Sequence, residues 1–400
     1  MTGNAPADKQ MESYFRAHRV MGVRDRGEVA ETVYACLRHR RLLAHLAQSE
    51  TARDLIAAHW LRDGISARAL EEAGYRGDAR QLATRVRTLD LASLAFDIRA
   101  SLPEWLAQRL LEQCGADETV TLADALNRPA SVDLRVNTIK AKLAEVQQQL
   151  TEAGFDCDPT PYSPVGLRLR NRASVFRTKA FEQGLFEVQD EGSQLLSLML
   201  EPKRGEMVVD FCAGAGGKTL HLGALMANSG SLYAFDVSAP RLERLTPRLR
   251  RAGLSNVRSV VIAHERDARV QRLHGKIDRV LVDAPCSGTG TLRRNPDIKW
   301  RSIDLPALVD TQQRILSAAA ALLKPGGRLV YATCSLLAEE NQAVIAKFLA
   351  EQPAFSVLPA TEVLARRHLS LDATAEGALR LLPHRHGTDG FYAIALARAT

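Results

Sequence analysis

No C-x-x-C pair occurs among the six cysteines, Cys36, Cys114, Cys157, Cys212, Cys286 and Cys334, so the spacing of a zinc site is missing and no metal is expected. No apolar run approaches the roughly 18 to 20 residues that span a bilayer, so no membrane partner is expected. The opening MTGNAPADKQ lacks the charged-then-apolar layout of a secretion signal. A cytoplasmic protein follows, and a reducing compartment argues against a disulfide framework. Any special cysteine here is special by reactivity. Internal repeats and low-complexity segments are also missing, which excludes repeat arrays.

What is present is a chain of 400 residues, 46% hydrophobic and 25% charged, the composition of a globular protein with a large core and two or three domains. A formal charge of +7 and a pI near 9.2 favour an acidic partner such as nucleic acid. Arginine clusters at Arg38 to Arg41, at Arg241 to Arg251 and in LRRNPDIKWR, Leu292 to Arg301. The first two read as solvated helix faces. The third holds Arg293, Arg294, Lys299, Trp300 and Arg301 in a proline-containing loop directly after a cysteine turn, where it could meet a phosphate or a base.

Three segments follow from the patterning. Over residues 1–95 Val29, Val33 and Leu37, then Leu42, Leu43 and Leu46, recur at helical spacing, which predicts an all-helical domain. Over 96–181 strand-like DLRVNTIK and GLRLRN flank helix-like LAEVQQQLTEAG, which predicts a small α+β domain. From 182 to 400 the apolar runs MVVDFC, SLYAFDV, VRSVVI, RVLVDAP and GRLVYATC alternate with helical stretches. Parallel strands buried on both faces need such runs, so this segment is predicted to be a doubly wound, Rossmann-like α/β domain with ligands beyond the carboxyl ends of its strands.

The first of these runs ends in DFCAGAGGKT, where Gly214, Gly216 and Gly217 open a helix whose N-terminus favours an anionic group. A nucleotide-hydrolysing P-loop would need glycine where Cys212 stands. Asp236 ends the next strand 22 residues beyond Gly214, the distance at which a carboxylate can accept ribose hydroxyls of NAD or of S-adenosylmethionine. Asp267 follows the third strand and Asp283 ends the fourth beside a cysteine, a pattern that suits a methyl donor better than hydride transfer. Cys286 and Cys334 end two strands of one sheet. A thiolate adds to C6 of a pyrimidine and makes C5 electron-rich enough to accept a methyl group.

The stretches VVDFCAGAGGKT, KIDRVLVDAPCSGTGTLRRNPDIKW and LKPGGRLVYATCSLLAEEN, with LRVNTIK, VQDEGSQL and GTDGFYAIAL, together resemble the RsmB/Sun family of RNA cytosine-5 methyltransferases. The likeness covers residues 100 to 400. More loosely, Arg24 to Leu46 is similar to the NusB-like domain that precedes the catalytic part in bacterial members. The resemblance implies a class I methyltransferase fold, an RRM-like α+β domain before it, S-adenosylmethionine as cofactor and RNA as partner, ribosomal (16S) ahead of transfer RNA. It also implies that Cys334 is the nucleophile, that Cys286 assists release, and that Asp283 and Lys218 serve the cytosine's polar edge. The cofactor residues it carries over are Cys212, Ala213, Gly214, Ala215, Gly216, Gly217, Lys218, Asp236, Asp267 and Asp283.

Where many relatives read CAAPGGKT this chain reads CAGAGGKT, which exchanges a proline's rigidity for Gly214 and Ala215. DNA cytosine methyltransferases pair a Pro-Cys nucleophile with Glu-Asn-Val; here Glu339, Glu340 and Asn341 are followed by Gln342, a poor match. The rival readings are a catalytically silent RNA-binding assembly factor and a dinucleotide-dependent oxidoreductase.

Overall fold

A computed structural model describes residues 6–400; the first five residues of the segment expected over 1–95 lie outside it. The described residues group into two compact units, one of residues up to 129 with 291–303, the other of residues 130–290 with 304–400. The α+β segment thus shares a unit with the large sheet, and helices Glu104–Cys114 and Ala116–Leu126 group with the helical part.

In the helical unit, Leu42, Leu43 and Leu46 of helix Arg40–Ala47 are buried against Leu55, Ala58 and Leu61 of helix Ala52–Arg62, with Leu70 and Leu82 closing the cluster. Thr51 starts the second of these helices by accepting the Asp54 N–H on its side chain. Only half of the expected stripe is core. Val29 and Val33 are half-buried and line an open cleft of about 940 Å³ with Trp60 and Ile65.

The loop read as an RNA-facing basic patch is a structural part of this unit. Lys299 is 2% exposed, and its Nζ donates to Arg38 O at 2.9 Å, Ser101 O at 3.0 Å and Asn127 Oδ1 at 2.6 Å. Trp300 Nε1 donates to Leu37 O at 2.7 Å, and the Arg40 guanidinium stands 5.5 Å over its ring. Arg293 and Arg38 are buried too, joined by a 3.2 Å hydrogen bond from the Arg38 guanidinium to Arg293 O. Lys299 and Trp300 therefore serve packing, because buried carbonyls left over at helix ends need donors.

The second unit opens with an antiparallel sheet of β1 (Asp133–Val136), β2 (Cys157–Pro159), β3 (Gly166–Leu169) and β4 (Phe186–Val188), in the order β2-β3-β1-β4. Leu134, Val136, Leu167 and Phe186 pack with Val146 and Leu150 of helix Leu143–Glu152. The larger sheet holds β5 (Met207–Asp210), β6 (Ser231–Asp236), β7 (Val257–Val261), β8 (Ile277–Asp283), β9 (Leu323–Thr333), β10 (Phe355–Leu358), β11 (Leu379–Leu381) and β12 (Phe391–Arg398), in the order β10-β12-β9-β8-β5-β6-β7 with β11 on β12. The five strands from β5 to β9 are parallel; β12 runs antiparallel beside β9 and extends the sheet beyond the strands expected.

Alternation explains the apolar runs. Val209, Val280, Val282, Leu329 and Tyr331 belong to one buried cluster, and their neighbours Val208, Leu281, Val330 and Ala332 to another. Successive side chains point to opposite faces, so a strand covered on both sides is apolar at every position. The carboxyl ends of β5, β6, β8 and β9 therefore share one edge, and they carry Asp210, Asp236, Asp283 and Thr333, the last followed by Cys334.

Candidate active site

A cleft of about 760 Å³ opens at that edge. Cys212, Ala213, Gly214, Ala215, Gly217, Lys218, Asp236, Asp283, Cys286 and Cys334, spread over more than half of the catalytic segment in sequence, all line it. The 940 Å³ cleft of the helical unit is larger but contains none of the residues expected to carry chemistry. Size does not locate the site; convergence of the reactive groups does.

The glycine turn is shaped by backbone demands. Gly214 has φ +56° and Gly216 φ +86°, and a Cβ on Gly216 would come within 2.1 Å of Leu245, so only glycine lets helix Gly217–Leu225 start this close to helix Ala239–Ala252. Asp236 holds the turn: its carboxylate accepts Gly214 N–H at 2.8 Å and Ser238 N–H at 2.7 Å. From the small sheet, the buried Arg135 reaches Gly217 O at 2.6 Å, and Arg248 bridges Ala215 O at 2.5 Å to the Glu187 carboxylate at 3.0 Å. The turn, which lacks proline, is thus clamped from outside it. Part of the Arg241 to Arg251 run, read as a solvated face, is in fact spent on Glu187.

At the other end of the cleft lie the reactive groups. Lys218 Nζ and Asp283 Oδ2 are 2.6 Å apart. Burial acts to lower the Lys218 pKa, but the Asp283 carboxylate outweighs it and raises the pKa above the ordinary value, so the ammonium is kept. Cys286 Sγ and Cys334 Sγ are in contact at 3.4 Å. The hydrogen bond with Cys334 and burial push the Cys286 thiol well above its usual value, which keeps its proton on.

The cysteine loops are drawn together by close backbone approach. Gly290 N–H donates to Cys334 O at 2.9 Å and Gly390 N–H to Gly290 O at 2.8 Å; a Cβ on Gly290 would lie 2.2 Å from Gly390 O. Asp389 N–H in turn donates to the Asp190 carboxylate at 3.1 Å, so the stretches VQDEGSQL and GTDGFYAIAL meet behind the site.

Two expected cofactor residues do not line the cleft. Gly216 is turned to Leu245, and Asp267 caps helix Ala268–Gln271, its carboxylate accepting Arg269 N–H and Ala263 N–H at 2.9 Å each. Asp267 instead orders the Ala263 to Glu265 stretch, which does line the cleft. Sequence reasoning missed Asp210. Its Oδ2 accepts the Thr219 hydroxyl at 2.6 Å, its Oδ1 is buried without a partner, and burial raises its pKa to about 7. An acid ending the strand before a glycine turn was the available signal.

The cleft suits a ligand with a diol, an apolar body and an ammonium group. It offers carboxylates at both ends of a glycine turn, and the orphaned acceptor of Asp210 is the kind of buried group that a bound cation would satisfy.

Comparison with known proteins identifies the family. Residues 197–397 match the family described as 16S rRNA methyltransferase RsmB/F, and residues 102–176 match the ferredoxin-like domain of RsmF/B-like methyltransferases. Ribosomal RNA small subunit methyltransferase B of Vibrio vulnificus is 34% identical over 366 residues, 90% of this chain and 80% of its own length. The protein of the same name from Sodalis glossinidius is 35% identical over 368 residues, 91% of this chain and 79% of its own length. The crystal structure of a methyltransferase homolog protein from Pyrococcus horikoshii superimposes with a TM-score of 0.65 at 32% identity, covering 78% of this chain and all of that one. The chain belongs to the RsmB/F family of S-adenosylmethionine-dependent methyltransferases.

Proposed function

We propose that this protein methylates C5 of a cytosine in small-subunit ribosomal RNA, through a covalent bond between Cys334 and C6 of the base. The contact between the Cys286 and Cys334 sulfurs at the edge of the cofactor cleft carries this reading. A single nucleophile needs one thiol; two in contact suit a reaction in which a covalent bond must be made and later broken. The relatives' names point to ribosomal RNA, and the net charge of +7 fits an RNA partner met in the cytoplasm.

S-adenosylmethionine, when bound, supplies the electrophilic methyl group. The residues of the chain do the rest. With the target base taken out of its stack, Cys334 Sγ adds to C6, and the electron pair displaced from the C5–C6 double bond makes C5 nucleophilic. The Lys218 and Asp283 pair faces the N3 edge and supports the charge that develops there. After C5 has gained its methyl group, a general base takes the C5 proton, the C5–H electron pair re-forms the C5–C6 double bond, and the C6–S bond breaks with its pair leaving on Cys334 as thiolate. Cys286, held as a thiol, stands next to the departing sulfur and assists its release.

Asp210, Asp236 and the Cys212 to Lys218 turn would hold the cofactor. Asp210 is assigned to the cofactor's ammonium group, which favours the ionised carboxylate. Its raised pKa, about 7, means that below pH 7 binding must first displace a proton. S-adenosylmethionine is therefore expected to bind roughly five- to tenfold more tightly at pH 8 than at pH 6. Asp210→Asn should bind weakly with a flat pH profile. Calorimetric titration checks this, and equal pH dependence in both proteins would remove Asp210 from the site.

The function itself is tested by incubating the protein with unmodified small-subunit ribosomal RNA and labelled S-adenosylmethionine, then resolving the nucleosides by mass spectrometry. Label in 5-methylcytidine is the expected result. Label confined to another nucleoside, or no transfer to RNA, would refute the reading, and the latter would favour an assembly factor.

A further inference from the structure

The Glu339 to Asn341 run has no role in the mechanism above. In the structure Glu340 is 0% exposed and lies behind the two cysteines, outside the cleft. Its Oε1 accepts Ser287 N–H at 2.8 Å and Gln312 Nε2 at 3.0 Å, and its Oε2 accepts the Ser287 hydroxyl at 2.5 Å and the Ser335 hydroxyl. Ser287 follows Cys286 and Ser335 follows Cys334. One carboxylate thus ties together the residues that succeed both sulfurs, and four donors stand in for the water it has lost.

The two loops do not depend on this tie equally. Cys334 has independent supports: Asn341 accepts the Thr333 hydroxyl at 2.5 Å and donates to Ser335 O at 2.9 Å, and Gly290 N–H holds the Cys334 carbonyl. Cys286 sits in the Pro285 to Ser287 stretch, which is held through Glu340 and through Gln312, whose Nε2 bridges Pro285 O at 2.9 Å to the same carboxylate. Without Glu340 the Cys286 loop loses the acceptor of both Ser287 donors and its link through Gln312. It keeps the Gly288 N–H to Cys286 and the Ser287 to Ser335 hydroxyl contact of 3.1 Å, while Cys334 keeps its own supports.

We infer that Glu340 is a positioning residue that holds Cys286 against Cys334, so that its loss impairs release of the covalent intermediate while leaving attack on C6 in place. This rests on the cysteine roles proposed above. The charge of Glu340 acts in the same sense: after the hydrogen bond with Cys334 and burial, it is among the influences that keep the proton on Cys286.

The test compares wild type, Glu340→Ala, Glu340→Gln, Gln312→Ala and Cys286→Ala with unmodified ribosomal RNA and S-adenosylmethionine, reading turnover, the protein-RNA adduct on a denaturing gel, and cofactor affinity. Glu340→Ala is expected to lower kcat by about ten- to a hundredfold, the scale of a misplacement near 1 Å, and to accumulate adduct with cofactor affinity unchanged. Glu340→Gln can accept on its oxygen and donate to the two hydroxyls from its nitrogen, so it should restore turnover to within about threefold. If Glu340→Ala does not fold, Gln312→Ala carries the test, because it removes the strut to Pro285 and leaves the carboxylate. Wild-type turnover by Glu340→Ala, or a Gln312→Ala protein without adduct, would overturn the inference, as would a Glu340→Gln protein as impaired as the alanine variant. If Cys286→Ala itself gives no adduct, the cysteine roles fail, whatever Glu340 does.

Discussion

Replacing Cys334 with alanine is expected to reduce methyl transfer by more than about a thousandfold, ~4 kcal/mol in the barrier, with S-adenosylmethionine affinity within about twofold of wild type. The size follows from chemistry. C5 of cytosine is a poor nucleophile until a group adds at C6, and no other side chain of the cleft replaces that addition. Cys286 stands 3.4 Å away, but its hydrogen bond with Cys334 and its burial keep the proton on its thiol, and it belongs to the other loop. Cofactor affinity should survive because Cys334 follows β9, while Asp210 and Asp236 end β5 and β6 and the glycine turn follows β5. Single-turnover methylation with labelled cofactor measures the loss. A residual rate within tenfold of wild type would show that Cys334 is not the nucleophile.

The second large effect concerns stability. Lys299→Met keeps most of the apolar stem but removes the ammonium from three oxygen acceptors, on Arg38, Ser101 and Asn127. Each buried acceptor left unsatisfied costs about 1 kcal/mol or more, so a loss of roughly 3 to 4 kcal/mol is expected for the helical unit. That corresponds to a fall of about 10 °C in the transition that reports it. Arg301 provides the contrast: it is half-buried and paired with Asp297 four residues before it, so Arg301→Ala should cost about 1 kcal/mol or less. Calorimetry of both variants decides between packing and RNA contact. Unchanged stability in Lys299→Met, with weaker RNA binding and a smaller salt dependence, would restore the loop to the RNA-facing role that its charge suggests.

That loop shows where a sequence stops being informative. Its charge, tryptophan and proline are visible in the chain, but the acceptors that consume the charge come from residues 38, 101 and 127, which nothing in the local pattern connects to it. The large sheet was legible for the opposite reason. Burial on both faces forces unbroken apolar runs such as MVVDFC and GRLVYATC, and the residues at their ends had to converge. Asp236, Asp283 and the cysteines did so. Strand β12 was not read as part of the sheet, although FYAIALAR is as apolar as its neighbours, because a C-terminal strand running antiparallel breaks the strand-helix alternation on which the reading relied. Asp267 had the right spacing after its strand, but it caps helix Ala268–Gln271 and does not line the cleft. Glu340 was visible only as part of a poorly matching motif; its four hydrogen bonds, drawn from Ser287, Gln312 and Ser335, exist only once β8 and β9 lie side by side.

The division of labour between the two sulfurs is the centre of the account, and one gel tests it. Wild type, Cys286→Ala and Cys334→Ala proteins are incubated with unmodified small-subunit ribosomal RNA and S-adenosylmethionine, then resolved under denaturing conditions. A slowly migrating protein-RNA adduct is expected to accumulate with Cys286→Ala, to be faint with wild type and to be missing with Cys334→Ala. Accumulation with Cys334→Ala and none with Cys286→Ala would exchange the roles of the two cysteines and contradict the mechanism proposed for this site.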